Sequence, residues 1–262
     1  MLKRIGLFVV LSCVLCAPTV ISARRGPPPN PVEDPLLITA GFLSHHQDLK
    51  YRMLGMDAYK MKRYDKALQY FRRASFYADK PSQGMVAEMY WNGEGAPRDP
   101  VLAYVWMDLA AERGYVGFTG MRERYWNTLD AAQRGRALEV GQDVYARFGD
   151  AAAKPRYEFQ LRTARRNMTG SRTGFNHGVQ IEIPGPAGSQ MIEGSKFYDE
   201  RYWDAKKYWA WHDSVWTKVK IGRVDVGAVE TVRAAKVPAP DSRIPETLPD
   251  LDAVAPEVDD DP

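Results

Sequence analysis

The chain of 262 residues is short of cysteine, of histidine and of long apolar runs. Cys13 and Cys16 are its two cysteines, and both lie at the start. Loss of that start leaves no disulfide, no thiol nucleophile and no thiolate metal ligand. The four histidines, His45, His46, His177 and His212, make no HxxxH or HExxH spacing. Adjacent His45 and His46 cannot share a helix face, so solvent-facing histidines and no metal site are expected. No GxSxG elbow occurs. Gly93-Glu94-Gly95 begins like a phosphate loop, but Arg98 stands where a third glycine is needed, so no nucleotide cofactor is expected. A net charge of +3 is too dilute for a nucleic-acid footprint.

The first 23 residues, MLKRIGLFVVLSCVLCAPTVISA, carry basic Lys3 and Arg4, an apolar run from Ile5 to Ala17, and a short stretch ending at Ala23. That is the layout of a secretory signal peptide. The expectation is an exported, periplasmic protein. The alternatives are a lipid anchor through Cys13, since Val10-Leu11-Ser12-Cys13 loosely fits a lipobox, or secretion. No later segment reaches the ~20 apolar residues that span a bilayer.

Residues 24–36 are proline-rich and read as an extended leader. Helical periodicity runs from about Leu37 to Asn167. It includes a hairpin of Val116–Leu129 and Ala131–Phe148 capped by Asp130, then a last helix from about Pro155 to Arg166. Residues 168–235 form a smaller module. Val179-Gln180-Ile181-Glu182-Ile183 alternates like a strand, and Val219, Ile221, Val224, Val226 and Val229 suggest a second. Residues 236–262 are proline-rich with a net charge of −6, a composition that cannot bury enough apolar surface to fold. The expected fold is mainly α: a short α-α repeat array, a small α+β module and a disordered tail.

An internal repeat underlies the array. Leu54, Gly55 and Tyr59 correspond to Val86, Ala87 and Trp91, and Ala67, Phe71 and Ala74 correspond to Ala103, Met107 and Ala110. Spacings of four and three put each second set on one helix face. Gly93 and Gly95 suit a tight turn, Asp99 a helix cap and Pro100 the first helical position. The first unit resembles a tetratricopeptide repeat. The second is similar to a Sel-1-like repeat: Tyr90, Gly93, Gly95, Asp99, Ala103, Trp106, Ala110, Ala111 and Gly114 fall where that motif places them. Val86-Ala87 departs from the usual Leu-Gly. The resemblance covers residues 50–114 and implies a non-catalytic scaffold or adaptor that binds a protein or peptide in the envelope. It also implies that the first helix of each unit lines an inner face, here Arg52, Met56, Tyr59, Lys60, Glu88, Trp91 and Asn92. The plainer alternative is a face too shallow to bind anything.

The stretch FYDERYWDAKKYWAWHDSVW, residues 197–216, holds four of the seven tryptophans. On a helical wheel Tyr198, Tyr202, Ala205, Trp209 and Trp216 share one face, flanked by Phe197, Tyr208 and Val215, as in a helix packed on a small sheet. Trp203 and Trp211 project from the other side. They form an outward docking or glycan-contact patch if the helix is continuous, and pack on the array or follow a helix end if it is not. Asp199, Glu200, Asp204 and Asp213 lie among the rings, which leaves a cell-wall or glycan binder, or more remotely a glycan hydrolase, as the alternative.

Overall fold

The computed structural model describes residues 30–166, 179–185 and 188–217. The first 23 residues, the suggested strand at 219–229 and the acidic tail lie outside them. No helix among the described residues is long and apolar enough to cross a membrane.

The leader ends earlier than its composition implied. A 3-10 turn spans Pro31–Glu33 and helix α1 spans Pro35–Thr39, followed by a second 3-10 turn at Phe42–Ser44. Pro31 and Pro35 sit where a missing N–H costs nothing, and the Asn30 and Asp34 side chains accept the free N–H groups behind them. Proline here starts helical turns instead of keeping the chain extended.

Helical hairpins then follow in chain order. Helices α2 (Gln47–Lys60) and α3 (Tyr64–Ser75) make the first, and α4 (Lys80–Asn92) and α5 (Pro100–Ala111) the second. The third is α6 (Val116–Thr128) with α7 (Ala131–Phe148). Asp79, Asp99 and Asp130 cap α4, α5 and α7, the last with Gln133 in a capping box. Gly93 and Gly95 are left-handed at φ 76° and 75°. A Cβ on Gly95 would fall 2.3 Å from the Tyr64 carbonyl oxygen, so the turn requires glycine.

The repeat positions are the array core. Ala67, Phe71, Ala74, Ala103, Met107 and Ala110 are all buried. Gly55 leaves the notch that the Phe71 ring fills, since a Cβ there would fall 2.6 Å from that ring.

Helix α8 spans Asp150–Arg166 and begins five residues before the expected Pro155, which lies inside it. Two observations account for the early start. The Gly149 carbonyl accepts from Ala152 and Ala153, and the Arg113 guanidinium grips the Asp150 carboxylate at 2.6 and 2.8 Å. Lys80, fully buried, pairs with Asp150 at 3.1 Å and with Glu112. Burial works to raise the Asp150 carboxyl, but Lys80 and Arg113 outweigh it and hold it well below the usual carboxylate range. Tyr157, Leu161 and Ala164 form the buried face of α8, as their spacing predicts.

Strands β1 (Gln180–Ile183) and β2 (Gln190–Glu193) pair antiparallel, with Ile181 opposite Ile192. The partner of the first strand is therefore the segment ten residues on. Short helices α9 (Gly194–Phe197) and α10 (Glu200–Trp203) follow, then α11 (Ala205–Trp216). These elements share one core with residues 37–49 and with α8. The module thus closes over the end of the array, packed mainly on helix and not on sheet.

Candidate functional site

An open groove of about 920 Å³ runs along α2 and α4. Its floor is Leu49, Met53 and Met56 from α2, with Pro81 and Met85 from α4. Phe118 of α6 forms one wall, and Gly84 makes room for it: a Cβ there would lie 2.7 Å from the ring. The other wall is the last turn of α11, with Val32 and Glu33 of the first 3-10 turn. Tyr115 holds that turn of α11 by donating to Asp213 at 2.6 Å, and Trp216 stacks on Phe118 at 6.1 Å.

The residues expected on the inner face divide into two groups. Arg52, Met56, Lys60 and Glu88 line the groove. Tyr59, Trp91 and Asn92 do not. Tyr59 donates to Glu94 at 2.8 Å, and burial together with that carboxylate pushes its hydroxyl up to about 12. Trp91 lies flat on Tyr125 at 4.3 Å with the Arg98 guanidinium on it, so it serves the turn between α4 and α5. Asn92 is exposed at the end of α4. Sequence reasoning missed Met53, Met85, Phe118 and Trp216. The first two were legible as the same helix face as Met56 and Glu88. The last two come from elements beyond the repeat units, which no local pattern connects to them.

The outward tryptophan patch does not exist. Trp203 and Trp211 are 3% and 5% exposed. The helix breaks at Asp204, whose extended backbone ends α10 and whose side chain caps α11 by accepting from Lys207. That break rotates Trp203 away from the face computed for a continuous helix. Its indole donates to the Phe197 carbonyl at 2.7 Å, and Trp211 packs edge-on against Tyr202. Tyr198 and Trp216, expected in the core, are half-buried.

Beneath α11 is a buried polar cluster. Tyr208 donates to Asp48, His212 Nε2 lies 3.6 Å from the same carboxylate, and Arg52 pairs with Asp79 at 2.9 Å. Burial works to raise the Asp48 carboxyl, but His212, His46 and Tyr208 outweigh it and leave it below its ordinary value. Burial lowers both His46 and His212, against the pull of Asp48. His46, expected in solvent, is fully buried because its ring stacks on Phe42 at 3.9 Å. Its two nitrogens lie 2.9 Å from the Phe42 and Tyr202 carbonyls, and the one N–H of the neutral ring donates to one of them, with the ring packed between the N-terminal segment and α10. Asp48, Asp79 and His212 bring ligand-type atoms within 4.8 Å of one another. A cation entering there would have to displace Arg52 from Asp79, while Ser82 holds the other Asp79 oxygen. The donor set fits an ion-pair network better than a metal.

The carboxylates among the rings are all engaged. Asp199 pairs with Arg201, Glu200 with Lys207, Asp204 caps α11, and Asp213 accepts from Tyr115. None is held as a free acid facing a second across a cleft, which glycoside cleavage requires.

Residues 53–75 and 81–115 match the Sel1 repeat family. A protective antigen present in uropathogenic Escherichia coli strains, whose crystal structure displays an SLR fold, is 23% identical over the aligned part, with a TM-score of 0.32. The alignment covers 43% of this chain and 23% of that one, so the chain spans under a quarter of that structure's length. No curated protein matches the chain. The two matched segments fall on helices α2 to α5, so this part of the molecule is a helical-repeat array.

Proposed function

We propose that the chain, as a carrier of Sel1 repeats, is an exported, non-catalytic scaffold that holds a protein partner in the groove of α2 and α4. The groove carries this reading: about 920 Å³, open, lined largely by apolar side chains, and placed where both repeat units present their first helices. Met56, 37% exposed, stands in it without cover, and methionine adapts its shape to varied partners. Residues 1–23 support export, and the periplasm is the compartment their layout favours. The glycan-binding alternative needed Trp203 and Trp211 at the surface and has lost that support.

The test is capture of partners from envelope extract by the full chain and by Met56→Arg, which places a charge on the groove floor and removes little packing. Partners captured by the natural chain should be lost on the variant at unchanged helical content. Equal capture by both would exclude the groove. The mass of the mature protein reports export separately, as a cut after Ala23, a lipidated Cys13, or an uncut chain.

A further inference from the structure

We infer that the groove takes a basic, apolar segment of another protein, one in which Lys or Arg alternates with Val, Ile, Leu or Met. The inference rests on reading the groove as the partner site and adds the chemistry of what it selects.

Its floor and walls ask for apolar side chains: Met53, Met56, Met85 and Phe118 line the groove that a segment must fill. The rim decides the charge. Arg52 is already neutralised by Asp79 at 2.9 Å, with the Asp79 side chain fully buried. Lys60 stands 3.9 Å from Asp57, so that exposed pair offers no net cation. The acids that remain are Glu33 and Glu88, which line the groove and form no ion pair among the described residues. Beside Glu88 is a further acid, Glu94, held by Tyr59. Burial, and then the charge of Glu94, raise the Glu88 carboxyl above its ordinary value, and a cation placed beside it would offset both. A groove with apolar walls and an unbalanced acidic rim attracts a cationic amphipathic segment and repels an acidic one. Alternation suits it, since an extended peptide presents apolar groups to the floor and every second side chain to the rim.

The experiment uses the full chain and two fluorescent acetylated peptides of about twelve residues, which span about 40 Å when extended. One alternates Lys with Val, Ile and Met; the other has Glu for every Lys. Anisotropy should show saturable binding of the Lys peptide, at least about tenfold tighter than the Glu peptide. Glu88→Lys should narrow or invert that preference, and Met56→Arg should remove binding of both. Equal binding of the two peptides, lost on Met56→Arg, overturns the charge inference and leaves the groove intact as a partner site. Binding of neither overturns the inference, and the capture experiment then judges the groove alone. Zero-length carboxyl–amine cross-linking identifies the occupant. A link from Glu33 or Glu88 to the Lys peptide supports the inference. A link to Lys218 or Lys220 that the peptide does not compete away overturns it, because the chain's own Lys-Val-Lys-Ile run would then be the resident segment.

Discussion

Phe71 of α3 fills a notch at Gly55, sixteen residues before it, while Tyr208 of α11 reaches Asp48, 160 residues before it. The array and the cap over its end both bury aromatic rings, but they specify them differently. In the array small and large apolar residues recur at fixed spacing, and nearly every contact is made within a hairpin or with its neighbour. In the cap, rings from residues 37–49, α8 and residues 197–212 converge from distant parts of the chain, and polar atoms fix their order: His46 between two carbonyls, Trp203 on Phe197, Tyr208 on Asp48. Apolar repetition gives the first its stability, whereas the second depends on buried hydrogen bonds being made. A lost partner there leaves a polar group stranded in a dry interior, which costs more than the bond itself contributed.

The largest effect should come from the array. Phe71→Ala empties the Gly55 notch in a fully buried site and should cost about 3–5 kcal/mol. Because the cap rests on the first turns of α2 and α4, loss of the array should take the cap with it. Urea unfolding followed by far-UV and near-UV circular dichroism should show both signals moving together. Near-UV signal that persists, with the residual helicity of α8 and α11, after the main loss of helicity would mean the cap stands by itself.

That ordering matches what could be read in the sequence. The offsets between Ala67, Phe71, Ala74 and their counterparts were enough to place four helices, the Gly93–Gly95 turn and the Asp99 cap, because each is fixed by residues close in the chain. The hairpin after Gly114 was equally legible from Asp130 and its periodicity. The cap was not. A helical wheel assumes continuity, and the breaks at Tyr198–Asp199 and at Asp204 put Trp203 and Trp211 inside instead of outside. His46 reads as a surface histidine unless Tyr202 is known to lie above it. The groove was half visible for the same reason: α2 and α4 gave Arg52, Met56, Lys60 and Glu88, while Phe118 and Trp216 arrive only by tertiary packing.

An effect of middle size separates the two regions. Asp48→Asn keeps the shape of the side chain but weakens its bond to Tyr208 and its attraction to His212, at about 1–3 kcal/mol. Near-UV signal should fall at lower urea while far-UV helicity holds, in contrast to the coincident loss expected of Phe71→Ala. Coincident loss of both would mean that array and cap fold as one unit and that the comparison is only descriptive.

Acid should act in the same direction. His46 and His212 are held below the ordinary histidine value, so as pH falls below about 6.5 the unfolded chain takes up protons that the folded chain refuses. Each histidine can then remove up to about 1.4 kcal/mol of stability per pH unit until its own folded value is reached. Asp48 and Asp150, held low by their partners, extend the loss to more acid pH. Near-UV signal recorded from pH 7 to pH 5 should weaken before helicity does, and His212→Gln should flatten part of that slope. A cap equally stable at both ends of the range would contradict the neutral, buried histidines.

The smallest effect has the opposite sign and belongs to the array alone. Gly135 lies inside α7, and a Cβ built on it meets nothing within 4 Å. Gly135→Ala therefore adds no clash. It removes the extra backbone freedom that glycine has in the unfolded chain, which is worth about 0.5–1 kcal/mol within a helix. Gly55→Ala is its counterpart: the same change, where the new methyl would stand 2.6 Å from the Phe71 ring. The pair isolates packing from propensity, since both glycines are helical and only one is a notch. Gly135→Ala should raise the far-UV midpoint slightly and leave the pH dependence of the near-UV signal where it was, because α7 does not share the buried cluster of Asp48, His46 and His212. Should the near-UV profile shift as well, the stabilities of array and cap are coupled through the polar cluster more tightly than their separate cores imply.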